Sequence, residues 1–427
     1  MNKMGLELGC NFTHQVDEIT AMYPRKIHQN IIEALQDTPV VLLNGAHQTG
    51  KSALIQSLER KATYYTFDNP TVCAAVQADP FGFIDSLKGP VCLDEVQRAP
   101  RIFLAIKASI DQDRTAGRFL LTSSANLTLL PQVAESLAGR MKVIGLWPLA
   151  QCEIEGKSTS VIDRLYRNDL PDRCGFQRQD FINRLLQGGY PEALGRVNNR
   201  HREAWFESYL YTVLTRDIRD LAQIDGLIEL PKLMRLLGAR SGKLLSAAEL
   251  SRSIGIPQTT LKRYLTLLEA LFLIRQVLAW ASNLGKRLQK SPKLFVTDYG
   301  MMAHLQALNS SRIEDKFELP ADLVEAFVHA ELVKHQGWSA SCTHLMHYCT
   351  YTGVEVDFVL ENRQGELLGV EVKSAATISS KDFSSLRQLR EVTPQQFKCG
   401  VVFYFGDQVV SFDKQLIAVP ISLLWIN

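Results

Sequence analysis

The sequence predicts an α/β protein in three parts: a P-loop nucleotide-binding domain, a helical middle segment and a second α/β domain. Three observations carry this. Residues Gly45-Ala46-His47-Gln48-Thr49-Gly50-Lys51-Ser52 spell G-x-x-x-x-G-K-[ST], between the apolar run Val40-Val41-Leu42-Leu43 and a helix-like stretch. Short β-rich runs alternate with helical patterns over residues 23–150, as in an α/β fold. The pattern then turns helical, and mixed α/β patterning returns from about residue 290.

The 427 residues are too many for one ordinary core, so two to four domains are expected. With 46% apolar and 22% charged residues, the composition is that of a soluble globular protein. A formal charge of +2 does not by itself announce a nucleic-acid binder, so any basic surface must be local. No stretch reaches the roughly 18 apolar residues of a membrane helix. Residues Met1 to Glu18 lack a charged segment followed by an apolar one. The expectation is a cytoplasmic protein without a membrane partner. Its eight cysteines are scattered without a C-x-x-C pair, which favours buried free thiols over disulfides or zinc.

In the first part the loop residues Gly45, Gln48, Thr49 and Gly50 are expected to curl backbone N–H groups around phosphates. Lys51 neutralises the β/γ oxygens and Ser52 reaches Mg²⁺. Candidate strands follow at Thr63–Phe67, Val91–Leu93, Arg118–Thr122 and Lys142–Leu146. The run Gly89-Pro90-Val91-Cys92-Leu93-Asp94-Glu95 is a Walker B pattern. Asp94 is expected to hold Mg²⁺ with Ser52, and Glu95 to orient and deprotonate the attacking water. The strand Arg118-Phe119-Leu120-Leu121-Thr122-Ser123-Ser124-Ala125-Asn126 ends in small polar groups. Thr122, Ser124 and Asn126 are candidates to meet the γ-phosphate. In Glu135-Ser136-Leu137-Ala138-Gly139-Arg140 the glycine ends a helix and leaves Arg140 to stabilise phosphoryl charge, in cis or from a neighbouring subunit.

The segment Gly156–Gln177, charged and holding Pro171 and Gly175, reads as a surface excursion or linker. Arg178 to Leu237 is helical in pattern. Residues Leu245–Leu265 read as helix–turn–helix. Ser246 and Glu249 form a capping box, Gly255 sits at the turn, and Gln258-Thr259-Thr260 opens the second helix. Leu268–Trp280 is expected to form a winged hairpin. Gln258, Thr259, Lys262 and Arg263 would meet DNA bases if this unit enters a major groove; the other reading is a lid or protein contact.

The last part has strand candidates Leu294–Val296, His347–Tyr351, Glu355–Leu360, Leu367–Val372 and Gly400–Phe405. The turn Asn362-Arg363-Gln364-Gly365 makes a hairpin that can bring Asp357 near Glu371. Alternation puts Glu371 and Lys373 on one strand face. Two carboxylates make an oxygen-rich site suited to Mg²⁺ or Mn²⁺, and Lys373 could hold a hydroxide or stabilise charge. The other reading is a salt-bridged sheet without metal. His329 and His335, on the helix of Glu325, read as surface or packing residues.

The four nucleotide pieces, in their order, resemble the AAA-type ATPases of bacteria and archaea in which a domain of unknown function with a nuclease-like core follows. Four later stretches are similar to that group: Gly139-Arg140 with Leu146-Trp147-Pro148-Leu149, Gly188-Gly189-Tyr190-Pro191-Glu192, Tyr209–Asp220, and Lys290–Gly300 with its K-x-P-K-x-x-x-x-D-x-G spacing. The resemblance covers about residues 23–427. Where members often carry Gly-Ser after the sensor strand, this chain has Ser123-Ser124. Asp357, Glu371 and Lys373, with Glu325 on a helix upstream, look like the PD-(D/E)-x-K nucleases; Val356 stands where the proline would be. That resemblance adds Glu325 to Asp357 and Glu371 as metal ligands and makes Lys373 catalytic.

The expected organisation is an AAA-type P-loop domain at 23–150, a helical, winged-helix-like segment at 151–285 and a restriction-endonuclease-like domain at 286–427. The expected reaction is ATP and water to ADP and phosphate, with ATP and Mg²⁺ at the first site and Mg²⁺ or Mn²⁺ at the second. DNA is a candidate partner, and an oligomer is compatible with Arg140 acting in trans. Two functional readings stand: an ATPase coupled to a DNA-acting nuclease-like domain, or a nucleotide-controlled switch binding DNA or protein with a catalytically silent C-terminal domain.

Overall fold

The computed structural model describes residues 23–58, 61–127, 139–157, 160–219, 228–314 and 319–426. Two compact units emerge, Met1–Leu149 and Ala150–Asn427.

The first unit runs α1 (His28–Asp37), β1 (Val40–Asn44), α2 (Lys51–Ser57), β2 (Thr63–Thr66), α3 (Pro70–Ala78), α4 (Pro80–Ser86), β3 (Val91–Asp94), α5 (Ile102–Gln112), β4 (Phe119–Ser123) and β5 (Met141–Gly145). Its sheet has the order β2-β3-β4-β1-β5, and every pair is parallel. A central parallel strand is covered on both faces, which is why β1 is an unbroken buried apolar run. Alternation sends Val41 and Leu43 to one face. There they meet Ile31 and Ala34 of α1 and Leu54 and Ile55 of α2. Each such side chain, fully buried, contributes roughly 1.5–3 kcal/mol. Because all five strands run the same way, Asn44, Thr66, Asp94 and Ser123 end at one edge of the sheet. Ligands of open α/β sheets bind at that edge.

The second unit begins with α6 (Gln151–Ile154) and α7 (Val161–Arg167). The segment expected to be a surface excursion or linker is therefore structured. Val161, Ile162 and Leu165 are buried, and the Tyr166 hydroxyl donates to the Leu360 carbonyl at 2.8 Å. Its charged residues masked a four-position apolar stripe. Next come α8 (Arg178–Gln187), α9 (Pro191–Leu194), α10 (Asn199–Thr212) and a π-helical turn, Val213–Asp217. Then follow α11 (Leu230–Ala239), β6 (Lys243–Leu244), α12 (Ala247–Ile254), α13 (Gln258–Ala270), β7 (Ile274–Val277), α14 (Leu284–Gln289) and β8 (Lys293–Val296). Gly255 closes α12 with φ of 81°, and Ser246 accepts the Glu249 N–H, the serine half of the expected box.

The expected hairpin within Leu268–Trp280 does not form. Helix α13 continues to Ala270, so only β7 fits there, and its antiparallel partner is β8, beyond α14. The sheet order is β6-β8-β7.

The chain ends with α15 (Tyr299–Leu305), α16 (Ser310–Glu314), α17 (Ala321–Gln336), β9 (His344–Cys349), β10 (Glu355–Glu361), β11 (Leu367–Val372), α18 (Ser384–Val392), β12 (Phe397–Tyr404), β13 (Val410–Ser411) and β14 (Leu416–Pro420). Strands β9, β10 and β11 form an antiparallel meander. Strand β12 then joins β11 in parallel after the α18 crossover, giving the mixed order β13-β14-β12-β11-β10-β9. Helix α17 is buried nearly all round. His329 and His335 are accordingly interior rather than surface residues: His329 stacks on Phe295 at 4.0 Å, and burial pushes both imidazoles below their ordinary pKa.

Two glycine-bearing segments lock together here. Asp298 accepts the N–H of Gly189 at 2.8 Å and of Met301 at 2.9 Å, capping α15. Gly188 has φ of 71°, and a Cβ on it would lie 2.5 Å from the Asp298 carboxylate. A Cβ on Gly300 would meet the Gly188 Cα at 2.6 Å. Only glycine permits this approach.

Candidate functional site

In the first unit the P-loop runs from the end of β1 to the start of α2. Gly50 takes φ of 90° and Gln48 φ of 59°, so the backbone curls as a phosphate cradle requires. A Cβ on Gly45 would sit 2.1 Å from the Leu146 carbonyl oxygen. The Thr49 hydroxyl donates to Ala46 O at 2.9 Å. The Arg25 guanidinium donates to Thr49 O at 2.8 Å and Trp147 O at 2.7 Å, tying the loop to the strand-end region after β5. The Lys51 ammonium is buried. It donates to Gly45 O and Ala46 O at 3.0 Å and to the Ser124 hydroxyl at 2.8 Å.

The acidic pair sits beside this cradle. The Ser52 hydroxyl donates to the Asp94 carboxylate at 3.0 and 3.2 Å. Asp94 also accepts from Tyr64 at 2.7 Å and from Thr122. Glu95 takes the left-handed conformation, φ of 60°, uncommon for a residue with a Cβ. Its N–H donates to the Thr122 hydroxyl at 3.0 Å. Its carboxylate accepts from Ser124 at 2.7 Å and from the Gln97 amide. Burial raises the Glu95 pKa, but the charges of Lys51 and His47 and the bonds from Gln97 and Ser124 outweigh it and hold the group below its ordinary value. The result is a buried, ionised carboxylate. Burial and the Asp94 charge push the Tyr64 phenol well up, keeping it a donor.

Lys51, Ser52, Asp94, Glu95 and Ser124 thus share one site, with Thr122 behind Asp94. Asn126 instead pairs with Asn44 at 3.3 Å. Arg140 makes its ion pair with Asp111 of α5 at 2.7 Å rather than with a carboxylate of this site. The stretch Glu135–Ala138 lies outside the described residues. Sequence reasoning missed Tyr64, Gln97 and Arg25, whose roles depend on which strands neighbour β1. Ser52 and Asp94 offer hard oxygen donors side by side, which fits Mg²⁺.

In the second unit, continuing the β10–β11 register by one residue sets Asp357 opposite Glu371. The Lys373 ammonium lies 3.1 Å from Glu371. Glu325 comes in from α17, and here the structure adds an unforeseen group. Lys293 of β8, its side chain only 3% exposed, lies 2.8 Å from Glu325, 2.6 Å from Glu355 and 3.8 Å from Asp357. The other Asp357 oxygen accepts the Val372 N–H at 2.8 Å. Burial, then the Asp357 charge, raise the Glu325 carboxyl to about 7 and the Glu371 carboxyl to about 8. Burial raises Asp357 too, against Lys293. Among the described residues, no group of three or more His, Cys, Asp or Glu side chains is placed to hold a metal ion. The only sequence signal for Lys293 was its place in the K-x-P-K segment.

Comparison with known proteins places the chain in a family. Residues 37–155 match an AAA domain, residues 178–312 a domain of unknown function (DUF8612), and residues 321–424 a domain of unknown function (DUF4143). Two relatives, the uncharacterized proteins Mb2031c of Mycobacterium bovis and Rv2008c of Mycobacterium tuberculosis, are each 30% identical over 391 residues. The match spans 91% of this chain and 81% of each relative. The chain belongs to their family. Among solved structures, the Walker-type ATPase PABY2304 of Pyrococcus abyssi aligns with 14% identity and a TM-score of 0.42, over 66% of this chain and 95% of that one. AMPPCP-bound DnaA from Aquifex aeolicus aligns with 14% identity and a TM-score of 0.27, over 56% of this chain and 86% of that one. The P-loop α/β class of this member is fixed by its AAA domain and its parallel sheet. No helix among the described residues is long and apolar enough to cross a membrane.

Proposed function

We propose that this family member is a cytoplasmic, Mg²⁺-dependent ATPase whose nucleotide state governs binding of DNA by its second unit. The observation that carries the ATPase reading is the clustering of Ser52 and Asp94, 3.0 Å apart, with Glu95 and Lys51 both bonded to Ser124. The loop N–H groups and Lys51 bind the phosphates. Lys51 exchanges its bonds to Gly45, Ala46 and Ser124 for phosphate oxygens. The Ser52 hydroxyl and Asp94 would hold Mg²⁺, which would supply neutralising charge to the phosphates. Glu95, released from Ser124 as Lys51 moves, accepts a proton from the attacking water. Arg140 serves as the γ-phosphate contact only if it leaves Asp111, in its own chain or toward a neighbouring one.

The DNA-binding reading is supported by α11, β6, α12, α13, β7 and β8. With α14 set between its last two strands, the order helix, strand, helix, helix, strand, strand, with the first strand paired to the last, is that of a winged helix. Gln258, Thr259, Lys262 and Arg263 are all exposed on α13, where a recognition helix presents its base contacts. Arg252 of α12 is exposed as well.

Phosphate release by the pure protein, with Lys51→Ala as control, tests the first half. Gel shift of duplex DNA with and without a non-hydrolysable ATP analogue, beside Lys262→Ala/Arg263→Ala, tests the second. Turnover that persists in Lys51→Ala, or DNA affinity unchanged by the double substitution, overturns the corresponding half.

A further inference from the structure

The carboxylates of the C-terminal sheet resemble a nuclease metal site, yet their surroundings argue for a different occupant. Lys293 enters from β8, a strand of the small three-stranded sheet, where it lies opposite Leu244 of β6 and Val277 of β7. Its ammonium is almost fully removed from solvent and reaches Glu325 of α17 at 2.8 Å, Glu355 of β10 at 2.6 Å and Asp357 of β10 at 3.8 Å. We infer that this ammonium fills the cation seat among Glu325, Glu355 and Asp357, so that the C-terminal sheet holds no divalent metal and does not cleave phosphodiesters.

The argument is one of ligands and charge. A divalent ion of the Mg²⁺ or Mn²⁺ kind takes about six oxygens. Glu325 and Glu355 each spend an oxygen on Lys293. Asp357 divides its two oxygens between Lys293 and the backbone N–H of Val372. Glu371 gives Oε2 to Lys373 at 3.1 Å. Its Oε1 is buried with no hydrogen-bond partner, and Glu325 and Glu355 each carry a second oxygen besides the one at Lys293. These oxygens do not converge on a metal site: among the described residues no group of three or more His, Cys, Asp or Glu side chains is placed to hold a metal ion. A metal ion would also lie beside a fixed, buried positive charge, an arrangement that charge–charge repulsion opposes.

The same contacts give the cluster a structural role. Lys293 joins the small sheet, on which the helix–turn–helix elements rest, to the large sheet and to α17. The inference stands whether or not the first unit hydrolyses ATP.

The test is Mn²⁺ titration of the nucleotide-free full chain, read by calorimetry and by electron paramagnetic resonance of free Mn²⁺. Wild type, Asp357→Asn, Lys293→Met and Lys293→Met/Asp357→Asn are compared, with circular dichroism as the check on folding. Wild type and Asp357→Asn are expected to take up the same Mn²⁺, because any uptake at Ser52 and Asp94 is common to both. Lys293→Met is expected to gain one site per chain, binding at least about tenfold tighter than wild type, and the double variant to lose it. Wild-type Mn²⁺ uptake that disappears in Asp357→Asn overturns the inference. So does a folded Lys293→Met that gains no site, since the lysine would then not be what excludes the ion. Should Lys293→Met fail to fold, equal uptake by wild type and Asp357→Asn supports the inference and unequal uptake overturns it.

Discussion

Glu95 is the residue on which the first site turns, and its geometry is unusual for a side-chain-bearing residue. Its left-handed backbone costs on the order of 1 kcal/mol, and it persists because Thr122 accepts its N–H while Ser124 and Gln97 hold its carboxylate. Gln97 also accepts the Ser124 N–H at 3.3 Å, so it sets the distance between the acid and the sensor strand. Gln97→Ala is therefore expected to lower kcat about tenfold while leaving the KM for ATP within about twofold, measured by steady-state phosphate release. An effect confined to KM would assign Gln97 to nucleotide binding instead. In the second unit Gly188→Ala adds a Cβ 2.5 Å from the Asp298 carboxylate at a position with φ of 71°. It is expected to destabilise that unit by about 2–4 kcal/mol, read from its denaturation midpoint. Lys51, Ser52, Asp94 and Glu95 were legible because each is fixed by its spacing within one short motif. Gln97, Tyr64 and Lys293 were not. Their partners are distant in sequence and are set by strand order, which no local pattern encodes.

At the scale of elements, sequence was most informative where one periodicity dominates. Continuous apolar runs marked β1, β3 and β4, and alternation with a Gly365 turn marked the β10–β11 hairpin. It was least informative where a strand is short or pairs far away. Strand β6 has two residues, and β7 pairs across α14 with β8, so the expected local hairpin went astray. Helix α7 was hidden because three charged residues, Asp163, Arg164 and Arg167, interrupt its buried stripe. The β10–β11 pair carries a pH dependence. The buried Glu371 carboxyl, raised from 4.5 to about 8, binds a proton more tightly folded than unfolded. Its contribution to stability is complete below about pH 4.5 and is lost as pH rises through about 8. Glu371→Gln, which cannot ionise, is expected to be more stable than wild type at pH 8.5 by roughly 1–3 kcal/mol and similar at pH 5. Urea midpoints at the two pH values measure this, and a constant difference between them would contradict it. Helix α13 makes a separate prediction. Lys262→Ala/Arg263→Ala should weaken binding most at the preferred sequence and narrow its margin over other duplexes, measured by gel shift on duplexes of varied sequence.

For the whole molecule, the chain reads as an AAA ATPase unit followed by a unit that pairs exposed basic helix residues with a sheet bearing buried carboxylates. The AAA domain and the parallel sheet define the first unit of this chain; the chemistry of the second unit is where its own residues decide. The resemblance to nucleases followed from three residues at the expected strand positions. The structure keeps those positions and places a lysine among them. Turnover of ATP by the P-loop unit, with Glu95 as the base, is proposed as the activity of this chain. The most direct measurement is binding of a fluorescent ATP analogue alongside phosphate release, for wild type and Glu95→Gln. Glu95→Gln is expected to bind the nucleotide within about threefold of wild type while its turnover falls at least about a hundredfold. Turnover within about threefold of wild type in a folded, nucleotide-binding Glu95→Gln would contradict it.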